Sequence, residues 1–322
     1  MARSGTKRFF IVLGIVVVLG GLWVTAVAIS GFSSGISGGG SADYEEELLV
    51  EGDSTAKVAM INVVGEIFSD PAGGIDGATD TNIIKQLEIA EDDPDVRAII
   101  LNLETPGGTV VASDNIYNKV RAVNDDKPVI ALMNDIAASG GYYIAAGTSE
   151  IVAHPSTWTG SIGVIAMIPN LEETTGKLGI KLNVVKSGEL KDLGSPFRPM
   201  TDQERGIFQA LIDEAYDGFV DVVVKGRDLT PERTRELADG RIYSGKQAKE
   251  LDLVDHLGNR DFAFSRAKGL GKASDASLVV YRRLGGLFDD LIPFVKAPNA
   301  AEIISEELGV SRSPGAAYLW VP

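Results

Sequence analysis

Apolar and polar positions alternate along the chain after residue 55 in a way that separates strand-like from helix-like segments. Short runs rich in β-branched residues recur, and amphipathic stretches with an apolar residue every three or four positions lie between them. The predicted strands are Lys57–Ile67, Val96–Leu103, Pro128–Met133, Glu150–Ala153 and Lys181–Lys186. The predicted helices are Thr109–Asn124, Ser139–Ala146, Thr201–Lys225 and a further one that starts at Thr230. Strands alternating with helices predict an α/β fold with right-handed crossovers.

Capping residues mark the start of two of these helices. Thr201 is followed three residues later by Glu204, which is the spacing of a capping box. Thr230 precedes a proline at the first helical position, and Gly240 follows as a helix stop. The longer helix carries an apolar stripe at helical spacing. Its members are Ile207, Phe208, Leu211, Ile212, Ala215, Phe219 and Val222.

A long uncharged stretch, Phe9–Ile29, lies near the N-terminus. Its 21 residues are enough to cross about 30 Å of hydrocarbon as a helix. Three basic residues and no acid precede it, so the positive-inside rule places residues 1–8 in the cytoplasm and the following domain outside the cell membrane. A signal peptide cleaved after Ala28 is the alternative, although its apolar region would usually be only about 7 to 15 residues long. Both interpretations export the body of the protein.

The exported part divides into three predicted regions. Residues 30–54 form a linker, which combines a Gly/Ser-rich piece with an acidic tether at Asp43–Asp53. Residues 55–295 contain the alternating strands and helices and form the folded domain. Residues 296–322 form a C-terminal tail that is expected to be loosely ordered from Ser311 onward.

Composition then limits the chemistry. The chain has no cysteine, which excludes thiolate nucleophiles and cysteine-ligated metals. It has two histidines, His154 and His256, too few for a multi-histidine metal site. The net charge is −15, and because the first 32 residues contain three bases and no acid, the other 290 carry −18. An acidic domain of this kind is unsuited to nucleic acid, and the available catalytic groups are hydroxyls, carboxylates, lysines and backbone amides.

Three short segments combine such groups with small residues at the ends of predicted strands. Pro106-Gly107-Gly108 joins a strand to a helix, and its glycine amides could face a ligand oxygen, although such turns are often only structural. Ser139 lies at the start of a helix among small residues, where it is either a reactive hydroxyl or an ordinary N-cap. Lys191 follows the Ser187-Gly188 loop, and alone it would be a surface charge. A serine needs a base to attack a carbonyl, and a neutral lysine in a desolvated place could serve.

Taken together, these segments resemble the signal peptide peptidase A family of membrane-anchored Ser–Lys proteases, in its short, single-domain form. The likeness covers Lys57–Ala267 and includes AASGGYY around Ser139, TGSIGV around Ser161, KSGELKD around Lys191 and ADGRIYSG from Ala238. It implies a Clp-protease/crotonase-like α/β fold. One departure is Glu104-Thr105, where the family often has Asn-Ser; it bears on substrate preference more than on the chemistry.

The resemblance also implies roles for particular residues. Ser139 would be the nucleophile and Lys191 the general base, with Ser161 orienting the lysine amine. The amide of Gly140 and that of Gly107 or Gly108 would form the oxyanion hole. No cofactor and no metal ion are expected, and each histidine is expected to be structural rather than the base.

An assembly and a substrate class are implied as well. Short forms resemble homo-oligomeric rings whose sites combine the serine and the lysine of neighbouring subunits, and the long helix could pack between subunits as well as in the core. The expected substrates are signal-peptide remnants and other hydrophobic peptides, with membrane lipid contacted through residues 9–29. Two alternatives use the same fold: a crotonase-type acyl-CoA enzyme, which export disfavours, and a non-catalytic membrane scaffold.

Overall fold

A largely parallel sheet organises the part of the chain that the computed structural model describes, namely residues 44–71, 77–284 and 317–319. Its strands run in the order β1-β10-β2-β3-β5-β6-β9, and each neighbouring pair is parallel except β1 with β10. These strands are β1 (Tyr44–Val50), β2 (Lys57–Val64), β3 (Val96–Thr105), β5 (Val129–Ala138), β6 (Glu150–Ala153), β9 (His256–Leu257) and β10 (Ser277–Arg283).

Two small additions complete the strands. The ribbon of β7 (Trp158–Gly160) and β8 (Ile242–Ser244) joins the sheet where β7 pairs in parallel with the end of β5. A separate two-stranded sheet pairs β4 (Gly107–Thr109) with β11 (Ala317–Leu319) in antiparallel fashion.

Eight helices are described in these ranges, with one 3₁₀ turn at Glu189–Asp192. They are α1 (Asp80–Asp92), α2 (Val110–Asn124), α3 (Gly140–Ala145), α4 (Glu172–Lys177), α5 (Asp202–Arg227), α6 (Pro231–Leu237), α7 (Gly245–Glu250) and α8 (Arg260–Leu270). The capping box at Thr201 and Glu204 and the cap at Thr230 are both present, as the sequence indicated.

Burial on both faces of the sheet explains why its central strands are almost continuously apolar. Side chains alternate across the sheet: Ile99 and Leu101 of β3 enter one core, while Ala98 and Ile100 enter the other. The first core lies under α1, α2, α3 and the second half of α5, and the second lies under α8. The mixed α/β fold predicted from the sequence is therefore confirmed.

Three local expectations were wrong. The acidic stretch expected to be a tether contains β1, whose backbone pairs along its length with β10. The end of the tail contains β11 rather than only loose chain. Residues Lys181–Lys186 form no strand; their side chains are exposed, and Val185 is 99% accessible. A strand needs a neighbour for its backbone groups, and the described part of the chain supplies none at this segment.

The predicted anchor, Phe9–Ile29, lies outside the described residues. Within them, no helix combines the length and the apolar character needed to cross a membrane.

The long helix α5 is divided between two environments. Its second half buries Phe219, Val220, Val222 and Val223 in the core, whereas Leu211 in the first half is 55% exposed. Gly226, near its end, approaches the backbone of Ala146 so closely that an added Cβ would lie 2.0 Å from the Ala146 carbonyl oxygen. Gly218, two turns earlier, has open space around it.

These two glycines give a matched test of how α5 docks. We expect Gly218→Ala to stabilise the protein by up to about 1 kcal/mol, because alanine is the better helix former. Gly226→Ala should instead destabilise it by about 1–3 kcal/mol, since the methyl group must displace the Ala146 backbone. Chemical denaturation of both variants measures the difference, and equal effects would contradict the close approach.

Candidate active site

The pairing of β5 with β7 places two serines side by side. Ala138 is opposite Gly160, and each strand is followed directly by a serine, Ser139 or Ser161. The Ser139 amide donates to the Gly160 carbonyl at 2.8 Å, which fixes the chain where it leaves the sheet. The candidate nucleophile and the candidate lysine-orienting hydroxyl therefore emerge from adjacent strand ends.

Both serines have a backbone conformation that L-residues seldom adopt. Ser139 has φ 54° and ψ −114°, and Ser161 has φ 50°. Ser139 lies on the sharp turn between β5 and α3, and Ser161 is held by its amide, which donates to the Arg241 carbonyl at 2.8 Å. Strained residues of this kind persist where the surroundings over-determine them, and they cluster at functional sites.

The Ser139 side chain is buried but unsatisfied. The residue is only 1% exposed, and its Oγ has no hydrogen-bond partner among the described residues. Ser139 occupies the N-cap position of α3, but its side chain makes no capping hydrogen bond to that helix. A buried hydroxyl without a partner is uncommon and calls for an explanation, such as a catalytic role.

The two amides of the loop Pro106-Gly107-Gly108 differ in their surroundings. Gly107 donates its amide to Thr105 Oγ1 at 3.1 Å. Ile67 donates to the Gly107 carbonyl and accepts from the Thr109 amide, both at 2.8 Å. Because successive residues of a strand direct their backbone groups to opposite sides, the amide of Gly108 faces away from Ile67.

The Gly108 nitrogen lies close to the start of α3. A Cβ on Gly140 would lie 3.2 Å from the Gly108 nitrogen and 2.4 Å from Ser113 Oγ, a buried hydroxyl that also lacks a hydrogen-bond partner among the described residues. A Cβ on Gly108 itself would lie 1.8 Å from the Ile67 carbonyl oxygen. The close approach of these segments thus requires glycine at both positions, and the sequence did not reveal Ser113 as a neighbour.

The edge of β4 that faces away from Ile67 pairs with β11, a strand near the C-terminus of the chain. In β11, Tyr318 is opposite Gly108 and Leu319 is opposite Gly107. The same strand also approaches α3, the helix that follows Ser139. An extended segment of polypeptide therefore lies along the loop that adjoins the buried serine.

Lys191 makes no hydrogen bond to this group. It lies on the 3₁₀ turn, and its side chain is exposed. The structure thus brings Ser139, Ser161, Gly107, Gly108 and Gly140 together within one chain, without a hydrogen bond between Ser139 Oγ and the proposed base.

An ionic cluster beside Lys191 escaped the sequence analysis. Arg198 bonds to Asp192, the residue after the lysine, and to Glu204 in the first turn of α5. Hydrogen bonds from Arg198 lower the pKa of Glu204 to about 2, and with Lys186 they hold the pKa of Asp192 well below its usual range. Only the capping-box spacing of Glu204 was visible in the sequence.

Both histidines have local partners. The His154 Nδ1 accepts from the Ser156 amide at 3.2 Å, and the His256 Nε2 lies 3.3 Å from a carboxylate oxygen of Glu150. These contacts are consistent with structural roles.

Comparisons with known proteins identify the family of the chain. Residues 121–274 match the family model of peptidase family S49, and residues 59–157 match that of Clp protease. A protein of Enterococcus faecium named as a signal peptide peptidase SppA is 35% identical over 296 residues, which cover 87% of this chain and 86% of the relative. A protein of Synechocystis named as a protease is 42% identical over 207 residues, 64% of this chain and 72% of the relative. The chloroplastic serine protease SPPA of Arabidopsis thaliana is 33% identical over 187 residues, 58% of this chain and 28% of the relative. The chain therefore belongs to the signal peptide peptidase A family within peptidase family S49, and it is a serine peptidase.

Proposed function

We propose that this serine peptidase is a membrane-anchored endopeptidase that cleaves hydrophobic peptides, including signal-peptide remnants, with a Ser139–Lys191 dyad completed between subunits. The observation that carries the proposal is the buried, strained and unpartnered hydroxyl of Ser139 next to a loop that already holds an extended strand. Family membership favours this function over the acyl-CoA enzyme and the scaffold.

The proposed chemistry assigns one task to each group. Ser139 Oγ attacks the carbonyl carbon of the scissile bond, and its proton passes to the neutral Nζ of Lys191. Lysine then gives that proton to the leaving amine, and water, activated in the same way, hydrolyses the acyl-enzyme. Ser161 is the hydroxyl that orients the amine.

The oxyanion is assigned to the amides of Gly108 and Gly140. Gly107 is the weaker candidate, because its amide donates to Thr105 Oγ1 within the loop, whereas the Gly108 amide lies on the side of β4 that pairs with β11 and that a substrate would take over. Removing one oxyanion donor typically lowers kcat by about 10²–10³ fold. The helix N-terminus at Gly140 adds a favourable partial positive charge to the same place.

Substrate binding is assigned to the edge of β4 that pairs with β11. A peptide that adds as a strand gains main-chain hydrogen bonds regardless of its sequence, which suits a peptidase with varied substrates. The pairing of β11 with this edge supports the assignment, since the edge already accepts an extended chain in antiparallel register.

The proposed assembly brings the lysine of one subunit to the serine of another, because Ser139 Oγ has no hydrogen-bond partner among the described residues of one chain. A lysine can act as a base only when it is neutral, so it must be covered by something that excludes water. The segment around Lys191 exposes many apolar side chains, as expected of a surface that another subunit covers. They include Ile165, Met167, Leu171, Leu178, Ile180, Leu182, Val184 and Val185.

The membrane location is inferred from the sequence. A span at Phe9–Ile29 would tether the peptidase on the outer side of the membrane. Peptides left in the bilayer after export would then be close to the site.

A subunit-mixing experiment tests the shared dyad. We expect Ser139→Ala and Lys191→Ala each to abolish cleavage of a hydrophobic peptide by the purified protein in detergent. Co-assembled in equal amounts, the two variants should recover about a quarter of the wild-type activity, because random neighbours then supply both groups at one site in four.

Lys177→Ala is the matched control, because this lysine lies on the same exposed segment with its side chain 81% accessible. It should retain full activity. Activity in either single variant would exclude the dyad, and a mixed assembly without activity would place both groups in one subunit.

A truncation tests the β4 edge. A chain ending at Ala316 lacks β11 and should have a lower KM for peptide than the intact chain, with kcat unchanged, because β11 and substrate would compete for one edge. A chain ending at Leu319 keeps β11 and is the control. Equal KM values for the two truncated chains would show that β11 does not occupy the substrate edge.

A further inference from the structure

The segment that carries Lys191 has no core of its own. From Gly163 to Gln203 no residue is buried in the single chain, and neither α4 nor the 3₁₀ turn contributes a buried side chain. The first buried residue after Ile162 is Glu204, with 1% of its surface exposed. This segment therefore contacts the interior of the protein through a carboxylate rather than through an apolar side chain.

Arg198 connects that carboxylate to the lysine turn. Its Nε donates to Asp192 Oδ2 at 3.0 Å, and its Nη2 donates to Asp192 Oδ1 at 2.9 Å and to the Asp192 carbonyl at 3.1 Å. On the other side, Nη1 donates to Glu204 Oε2 at 2.8 Å, and Nη2 also contacts Glu204 Oε1. The guanidinium group thus bridges two carboxylates, one of them adjacent to Lys191.

The Glu204 end of the bridge is rigid. Glu204 accepts from the Thr201 amide at 2.8 Å as the third residue of the capping box, so its carboxylate is fixed to the start of α5. The other end of α5 is anchored in the core through Phe219 and Val223. A displacement of Arg198 relative to the core would have to move this helix.

A second cation steadies the turn from outside. Lys186 Nζ donates to Asp192 Oδ1 and to the Glu189 carbonyl, both at 2.7 Å. Within the turn, the Lys191 amide donates to the Gly188 carbonyl at 3.1 Å. Backbone and carboxylate groups on both sides of Lys191 are therefore held by hydrogen bonds, while the Lys191 side chain is exposed.

We propose that Arg198 is a positioning residue for Lys191, which it holds in place by bridging Asp192 and Glu204. The inference rests on the proposed role of Lys191 as the base and adds how a segment without a core presents that base at a fixed place. Placement matters because a shift of about 1 Å at a reacting group can lower the rate by about 10² fold.

The geometry of the bridge requires arginine. A guanidinium group is a planar fork that can bind two carboxylates at once, whereas an ammonium group is a single point charge. Arg198→Lys keeps the charge but cannot reproduce the five contacts to Asp192 and Glu204, so it should be impaired, though less than Arg198→Ala.

The test measures kcat and KM of the full chain in detergent with a hydrophobic peptide. We expect Arg198→Ala to lower kcat by about 10–100 fold with KM changed less than about threefold, because the base is misplaced while the β4 edge is intact. Low, non-denaturing concentrations of guanidinium ion should restore part of kcat in this variant and none in Lys191→Ala.

Matched controls separate positioning from general stability. Arg266→Ala also removes an arginine that bonds to a carboxylate, Glu150, through two nitrogens, and Thr230→Ala removes the side-chain cap of a different helix, α6. Both should retain wild-type kcat. The oligomeric state of every variant is measured by native mass spectrometry, and Glu204→Gln, which should lower kcat in the same way, replaces Arg198→Ala if that variant fails to assemble.

The results distinguish two failures. If Lys191→Ala or Ser139→Ala is active, the proposed function itself is wrong. If both are inactive but the Arg198 and Glu204 variants assemble and keep wild-type kcat, the positioning role is wrong. Loss of kcat without guanidinium rescue in an assembled Arg198→Ala protein, or an equal loss in Arg266→Ala, would likewise overturn it.

Discussion

The site depends on the way β5 divides its hydrogen bonds between two partners. Its first half pairs with β6, and its end, at Ile136 to Ala138, pairs with β7 instead. Because β7 replaces β6 as the neighbour, Ser139 at the end of β5 lies next to Ser161 at the end of β7. On its other side, β3 pairs with β5 and delivers the glycine loop to the same edge. Ligand sites at the carboxyl ends of parallel strands arise from this kind of geometry.

Much of this arrangement could be predicted from the sequence, because local patterns determine it. The nearly continuous apolar run at Val96–Leu103 indicated a strand buried on both sides, and Thr201 with Glu204 marked the start of α5 correctly. The turns at Pro106-Gly107-Gly108 and before Ser139 were recognisable from small residues after strands. The sequence did not distinguish the two glycines, since the engagement of Gly107 depends on its contact with Thr105.

What could not be predicted depends on contacts between distant residues or between chains. The pairing of β1 with β10 joins residues more than 200 positions apart, and nothing in an acidic stretch indicates such a partner. The apolar alternation at Lys181–Lys186 favoured a strand, but a strand forms only where a neighbour exists. Arg198 was not identified from the sequence, because the two carboxylates that it joins have no characteristic spacing around it.

Ser139 Oγ has no hydrogen bond to Lys191 in a single chain, and this has a consequence for a cell that makes a peptidase. If the dyad forms only between subunits, a newly synthesised chain carries the nucleophile without its base and is harmless to its surroundings. Hydrolysis would then depend on encounters between chains and would vanish on dilution. The local density of the protein would switch it on, with no need for an inhibitory domain or a cleavable pro-segment.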